Sequence, residues 1–385
     1  MKARAYLDWN ASAPLEPVAR AAMLDALDVT ANASSVHAEG RAARHLVETA
    51  RAEVAALVGA KPEHVVFTSG ATEAAQMALS PDYRMGRSAL AMSRLYVAAT
   101  DHPCILGGGR FPRDRIGVIG VDADGVLDLD MLRALLAKHD RSEGTALVAL
   151  HLANNETGVI QPVGEIGSIA HEAGAVVVLD AVQAAGRIPL DISAGDADFL
   201  ILSAHKIGGP KGAGALVAAS DLLMPTPLVS GGGQEKGHRG GTENVLAITG
   251  FGAAARQALS QLVGMENVRQ RRDAMETDIL ALAPDAVIYG REAERLPNTS
   301  FFALPGLKAE TAQIAFDLAG VALSAGSACS SGRIGPSHVL EAMGHDGDSG
   351  LRVSIGPATT DGDMELFHTA LAGIIARRAA RKEAA

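Results

Sequence analysis

The stretch "IGSIAHEAGAVVVLDAVQAAG", residues 166–186, reads as a helix, a strand over 175–179 and a loop that begins at Asp180. The block "ADFLILSAHKIGGPKG", residues 197–212, gives a second apolar strand followed by Ser203, His205 and Lys206. The same grammar extends outward in both directions. "HVVFTSG" (64–70) is a strand closing on a glycine turn, and "GATEAAQMAL" continues it as a helix. "TALVALHLANNETG" (145–158) is a buried strand running into a polar loop, and "GAGALVAAS" is a further strand. Apolar strands separated by helices predict an α/β fold with a mainly parallel sheet covered on both faces.

After about residue 255 the pattern changes. A long charged helix, "MENVRQRRDAMETDILALA", leads to the strand-like "NTSFFAL", a helix at about 309–320, a cysteine loop and "LRVSIG". This predicts a large domain over 14–255. A smaller α+β domain takes residues 1–13 and 256–385 and carries the cysteine loop at about 324–336. There are no repeats and no low-complexity linker.

Composition excludes several classes. The chain has 385 residues, 48% of them apolar, and a net charge of −10. An acidic chain lacks the basic face that phosphate backbones need, so nucleic-acid binding is not expected. Two cysteines make neither a disulfide framework nor a four-cysteine zinc site. The first residues lack an apolar signal core, and no run of about 18 apolar residues crosses a membrane. We expect a cytoplasmic protein with free thiols and no metal.

In open parallel sheets, ligands bind beyond the carboxyl ends of the strands. Ser69 to Thr72, Asn155, Asp180, Gln183, Ser203, His205 and Lys206 all fall there. "TSGATE" puts the free N–H groups of a helix start where they can hold an anion. No GxxxxGK[ST] or GxGxxG motif accompanies it. Lys206 follows an apolar strand, where desolvation makes an amine a Schiff-base nucleophile. Asp180 ends another strand, where a carboxylate can hold a pyridinium nitrogen protonated. The two together are the arrangement expected for pyridoxal phosphate.

At these residues the chain resembles a known family, the cysteine desulfurases of the NifS/IscS kind. These are class V aminotransferase-type, fold-type I pyridoxal-phosphate enzymes. The resemblance runs through "YLDWNASAPL", "NASSVH", "FTSGATEA", "TDHPCIL", "NNETGVIQPV", "DAVQAAG", "SAHKIGGPKG", "RGGTENV", "GSACSSG" and "LRVSIGP". It implies fold type I, with a mainly parallel sheet of the seven-stranded type, flanked by helices, beside a smaller α+β domain. It also departs in places. Gly208 stands where many relatives carry a bulkier, often aromatic residue. Ala33 replaces a proline, and "ASAP" replaces the common "ATTP".

The resemblance further implies pyridoxal 5'-phosphate held by Lys206 as a Schiff base, with Asp180 on the pyridine nitrogen. Gln183 and Asn155 would contact the phenolic oxygen region, and His102 would stack on the ring and move protons. Ala71, Thr72, Ser203 and His205 would hold the phosphate, and Thr242 would reach the phosphate of a partner subunit, implying a homodimer. Arg352 and Asn32 would hold the carboxylate of L-cysteine. Lys206 would remove the α-proton, and Cys329 would accept the sulfur as a persulfide and leave alanine. The Cys329–Pro336 stretch has the length of the long-loop branch. Gly326, Gly332 and Gly335 would let the thiol travel from cofactor to a sulfur-acceptor or iron–sulfur scaffold protein. Cys104 reads as a packed side chain, and Lys211 as surface. Selenocysteine lyase, or another class V lyase or aminotransferase, is the alternative.

Overall fold

Val176–Asp180 and Phe199–Ser203 are buried at every position, not at alternate ones. Strands of that kind need cover on both faces, and they receive it. The structure, a computed structural model, describes residues 4–326, 336–347 and 350–383, with side chains described as far as residue 380.

A short first strand, β1 (Ala5–Tyr6), belongs away from the main sheet. The larger sheet uses β2 (Val65–Thr68), β3 (Asp82–Met85), β4 (Ser88–Ala98), β5 (Ile116–Ile119) and β6 (Thr145–His151). It continues with β7 (Val176–Asp180), β8 (Phe199–Ser203), β9 (Gly214–Ala218) and β10 (Leu223–Pro225). Seven of these lie side by side as β2-β9-β8-β7-β6-β4-β5. From β8 to β5 the neighbours are parallel, whereas β9 is antiparallel to both β8 and β2. So β9 alone opposes the other six. Residues 204–213 between β8 and β9 hold no crossover helix, and a parallel return needs a dozen or more residues. β3 and β10 extend the sheet beyond the first half of β4 by antiparallel pairing.

Alternate side chains of β7 enter two different cores. Val177 and Leu179 join Val47, Val54, Leu200 and Phe251 on one face. Val176 and Val178 join Met77, Val97 and Phe199 on the other. Each such side chain, fully buried, contributes roughly 1.5–3 kcal/mol of transfer free energy. On the first face, helices Ala38–Leu57 and Val245–Gln261 touch backbone to backbone. A Cβ on Gly252 would lie 2.5 Å from Ala50 Cα, so a side chain there would force the helices apart.

A second sheet takes β11 (Val287–Ile288), β12 (Thr299–Ala303), β14 (Ser324–Ala325) and β15 (Gly350–Ser354), all antiparallel. β13 (Val321–Ala322) pairs instead with β1, in parallel. Val268, Ile279, Phe302, Phe316, Phe367 and Leu371 form the core beneath it. The rings of Phe316 and Phe367 stack with centroids 5.4 Å apart. Ala258 still packs in the first core and Met265 already in the second, so the change of core falls between them.

Candidate active site

The carboxyl ends of β2, β4, β6, β7 and β8 face one cavity of about 600 Å³. Ala71, Thr72, His102, Asn155, Asp180, Gln183, Ser203, His205 and Lys206 all line it. Three expected residues do not. Asn32 is exposed, and its Oδ1 accepts the Ser34 N–H at 2.8 Å in a local turn. Thr242 is exposed and lines a separate hollow with Ser69, Glu235 and Arg239. Arg352 is fully buried on β15. It donates to Asp8 Oδ1 at 2.7 Å, to Ser324 Oγ at 3.1 Å and to the Asn155 carbonyl at 3.0 Å. Cys329 lies outside the described residues.

The anion-binding rim is placed by two glycines. Gly214 on β9 faces the Ser69–Gly70 turn so closely that a Cβ would sit 2.5 Å from the Gly70 carbonyl carbon. Its bare backbone lets the turn settle against the sheet and aim the helix Ala71–Ala78 at the cavity. The first N–H groups of any helix lack intrahelical acceptors. Glu73, in that first turn, accepts from Ser69 N–H at 2.8 Å and from Arg239 Nε at 2.9 Å. Burial opposes its ionisation, but the bonds from Arg239 and Ser69 outweigh burial and hold its carboxyl below the ordinary range.

Asp180 is buried at the end of β7, where its Oδ1 accepts the Val182 N–H at 3.0 Å. Burial raises its pKa, and His102 partly offsets this. Such a carboxylate gains from a cation placed against it. Lys206 Nζ donates to the carbonyls of Asn10, at 2.5 Å, and Ala11, at 3.0 Å. The N-terminal segment therefore holds the amine at the cavity wall. Gln183 Nε2 donates to the same Asn10 carbonyl at 3.1 Å. Loss of water, then Lys206 and Lys211, lower His205 to about 4 from 6.5, so its ring is neutral at pH 7 and can only share one hydrogen.

A buried pair supports the loop that carries His102. Asp101 accepts the N–H groups of Ala98 and His151, both at 2.7 Å, and lies 2.6 Å from His151 Nδ1. Gln161 Nε2 is 3.2 Å from His151 Nε2 and 2.9 Å from the Gly125 carbonyl. The amide donates to Nε2, which leaves the ring hydrogen on Nδ1 for Asp101.

Sequence reasoning missed several residues of this site. Ser12, Glu73, His151 and Lys211 line the cavity too. Lys211 is exposed, as expected, yet stands at the opening. Glu73 and His151 were visible as a first-turn acid and a strand-end histidine. Gly208, the departure noted above, has φ +81°, and a Cβ there would meet Glu16 Cγ at 2.5 Å. In this chain Glu16 fills the space beside it.

The cavity fits pyridoxal phosphate on its own donor set. It offers an amine, a buried carboxylate that favours a cation, and an anion-binding helix start seated in a cradle that a Cβ on Gly214 would fill. The family model for class-V aminotransferases matches residues 5–367. The chain belongs to that family of pyridoxal-phosphate enzymes. A cysteine desulfurase of Gluconacetobacter diazotrophicus is 39% identical over 385 residues, covering 97% of this chain and 93% of that protein. An X-ray structure of a NifS-like protein from Rickettsia africae ESF-5 superposes with a TM-score of 0.87 at 34% identity, covering 96% of this chain and 99% of that one. A structure of SspA in complex with cysteine gives a TM-score of 0.73 at 26% identity, covering 92% and 100%. The α/β, fold-type I expectation holds. The seven-stranded core is joined by the β3–β10 extension that sequence reading did not foresee. Among the described residues, no helix is long and apolar enough to cross a membrane.

Proposed function

We propose that this chain is a cysteine desulfurase. It removes the sulfur of L-cysteine, releases L-alanine and carries the sulfur as a persulfide on Cys329 to an acceptor protein. One observation carries this reading: Lys206, Asp180 and the Ser69–Thr72 helix start converge on one cavity. The relatives' names, and SspA's complex with cysteine, favour cysteine over selenocysteine as the substrate.

When bound, pyridoxal phosphate supplies an electron sink for negative charge at the substrate's Cα. The large domain, 14–255, would hold it. Lys206 would anchor it through the amine and then take the Cα proton. Asp180 would hold a proton on the ring nitrogen, and Gln183 and Asn155 would flank the phenolic oxygen. His102 would lie on the ring face and move protons. Ala71, Thr72, Ser203 and His205 would hold the phosphate. Thr242, exposed on its own hollow, would serve the phosphate of a second copy of the chain, which makes the enzyme a homodimer.

Arg352 and Asn155 would hold the substrate carboxylate, with Asn32 closing over it. Arg352 already pairs with Asp8 at 2.7 Å, so the substrate must share or displace that carboxylate. The Cys329 thiolate then attacks the substrate sulfur. A sulfur–sulfur bond forms, the Cβ–S bond breaks with its electrons left on carbon, and protonation there completes alanine. This chemistry needs a reduced thiol, which suits the cytoplasm and a role in iron–sulfur cluster assembly or related sulfur traffic.

The test is mass spectrometry of Cys329 after incubation with L-cysteine, with alanine measured in parallel. One added sulfur on Cys329, absent from Cys329→Ser, is expected. Alanine formed while residue 329 never gains sulfur would overturn the reading.

A further inference from the structure

His102 precedes the short helix Pro103–Leu106, and its Nδ1 faces two groups of a single residue. The Cys104 backbone N–H donates to Nδ1 at 3.2 Å, and Cys104 Sγ is 3.0 Å from the same atom. A backbone N–H can only donate. A hydrogen on Nδ1 would point into it, so this N–H favours a lone pair at Nδ1. The hydrogen of the neutral ring then sits on Nε2. Loss of water, then the nearby Asp180 and Asp101, push the Cys104 thiol far up, so it remains S–H. A thiol can donate to Nδ1, whereas a thiolate would draw the hydrogen onto it.

We propose that Cys104 is a positioning residue for His102: its backbone N–H and its thiol together lock the imidazole in the Nε2–H tautomer, so that any proton His102 moves passes at Nε2. Only the catalytic consequence rests on the reading of the cavity given above. The tautomer is a property of the chain itself.

The test is NMR of isotope-labelled histidine nitrogens in the holoenzyme, with the His102 signals assigned by their loss in His102→Gln. An unprotonated, pyridine-type Nδ1 and a protonated, pyrrole-type Nε2 are expected. Cys104→Ala removes the S–H and leaves the N–H, so a share of the Nδ1–H form is expected to appear. Cys104→Ser supplies an O–H in the same place and is expected to restore the single tautomer. Turnover of L-cysteine is expected to fall about fivefold in Cys104→Ala, one neutral hydrogen bond's share, and to recover in Cys104→Ser. A protonated Nδ1 in the wild type, or a Cys104→Ala spectrum identical to the wild type, overturns the proposal. The spectra are repeated after removal of pyridoxal phosphate. A tautomer that persists there stands even if the desulfurase reading fails.

Discussion

Arg51 and Glu235 meet in a two-pronged ion pair, Nη1 to Oε2 at 2.7 Å and Nη2 to Oε1 at 2.8 Å, with both residues buried. Glu235 Oε2 also accepts the Phe67 N–H at 2.8 Å, and Arg51 Nη1 donates to the Val65 carbonyl at 2.7 Å. The pair bolts the glycine-rich segment before Thr242 onto β2. Removing one partner of a buried pair costs about 3–5 kcal/mol, because the other charge stays behind. Glu48 remains on Arg51 at 3.2 Å, so Glu235→Ala is expected near the lower bound. Urea denaturation measures it, and a loss under 1 kcal/mol contradicts the assignment.

The same segment holds backbone strain. Glu235 and Lys236 have φ of 46° and 56°, in the left-handed region that disfavours side chains. Relief of such a residue is worth about 1–3 kcal/mol, against about 0.5–1 kcal/mol lost to the freer unfolded chain. Lys236→Gly is therefore expected to raise stability by roughly 1 kcal/mol. A lowered denaturation midpoint would show that the ammonium's bond to the Glu63 carbonyl, at 3.1 Å, matters more.

Ser337 is fully buried and donates to Glu156 Oε2 at 2.5 Å, while its Oγ accepts the Leu340 N–H at 3.1 Å. It thereby caps the helix His338–Ala342. Glu156 is buried, and burial raises its pKa despite the bond from Ser337. Ser337→Ala leaves both a buried carboxyl oxygen and the Leu340 N–H without this partner. A loss of about 1–3 kcal/mol is expected, with Ser337→Thr close to wild type. Thermal unfolding of the three proteins decides it.

Gly214→Ala forces a methyl group against the Gly70 backbone. Overpacking of this kind costs about 1–3 kcal/mol, and the strain falls on the turn that opens the anion site. Cofactor affinity is expected to drop together with stability. A stable variant that binds pyridoxal phosphate at wild-type affinity would refute the cradle.

Stability should also track His205. Between pH 6.5 and about 4 the unfolded chain binds a proton at this ring and the folded chain does not. Stability therefore rises with pH across that window and is lost as acid is added. With cofactor removed, His205→Gln is expected to flatten the fall of Tm from pH 6.5 to 4. Parallel curves for the two proteins would contradict a neutral buried ring.

The strands and the cavity were legible for one reason: short-range pattern governs both. Val176–Leu179 is apolar because both faces are covered, and Asp180 is polar because the strand ends at the site. What escaped is set by pairings distant in sequence. Arg51 and Glu235 are 184 residues apart, Glu73 and Arg239 are 166 apart, and Glu156 and Ser337 are 181 apart. None announces its partner locally. The reversal of β9 escaped because "GALVA" is apolar in either direction, and the connection before it, too short for a crossover helix, sets its course. Asn32 and Arg352 show the other limit. Their residue types suit a substrate carboxylate, the role proposed for them above, whereas the turn of Asn32 onto Ser34 and the bonds of Arg352 to Asp8 and the Asn155 carbonyl are facts of the folded chain that no residue type announces.

The segment that grips Lys206 has a timing consequence. Asp8 bonds Ser324, which lies 316 residues later in the chain, and the Ser354 N–H bonds the Leu7 carbonyl. Translation at ~5–20 residues per second separates those partners by roughly 15–60 s. A nascent polypeptide thus holds Leu7 and Asp8 without these partners until Ser324 and Ser354 have been made. The Lys206 amine is expected to gain its two carbonyl contacts only after that docking, so the wall of the cavity formed by Asn10 and Ala11 is completed after Ser354 has been added.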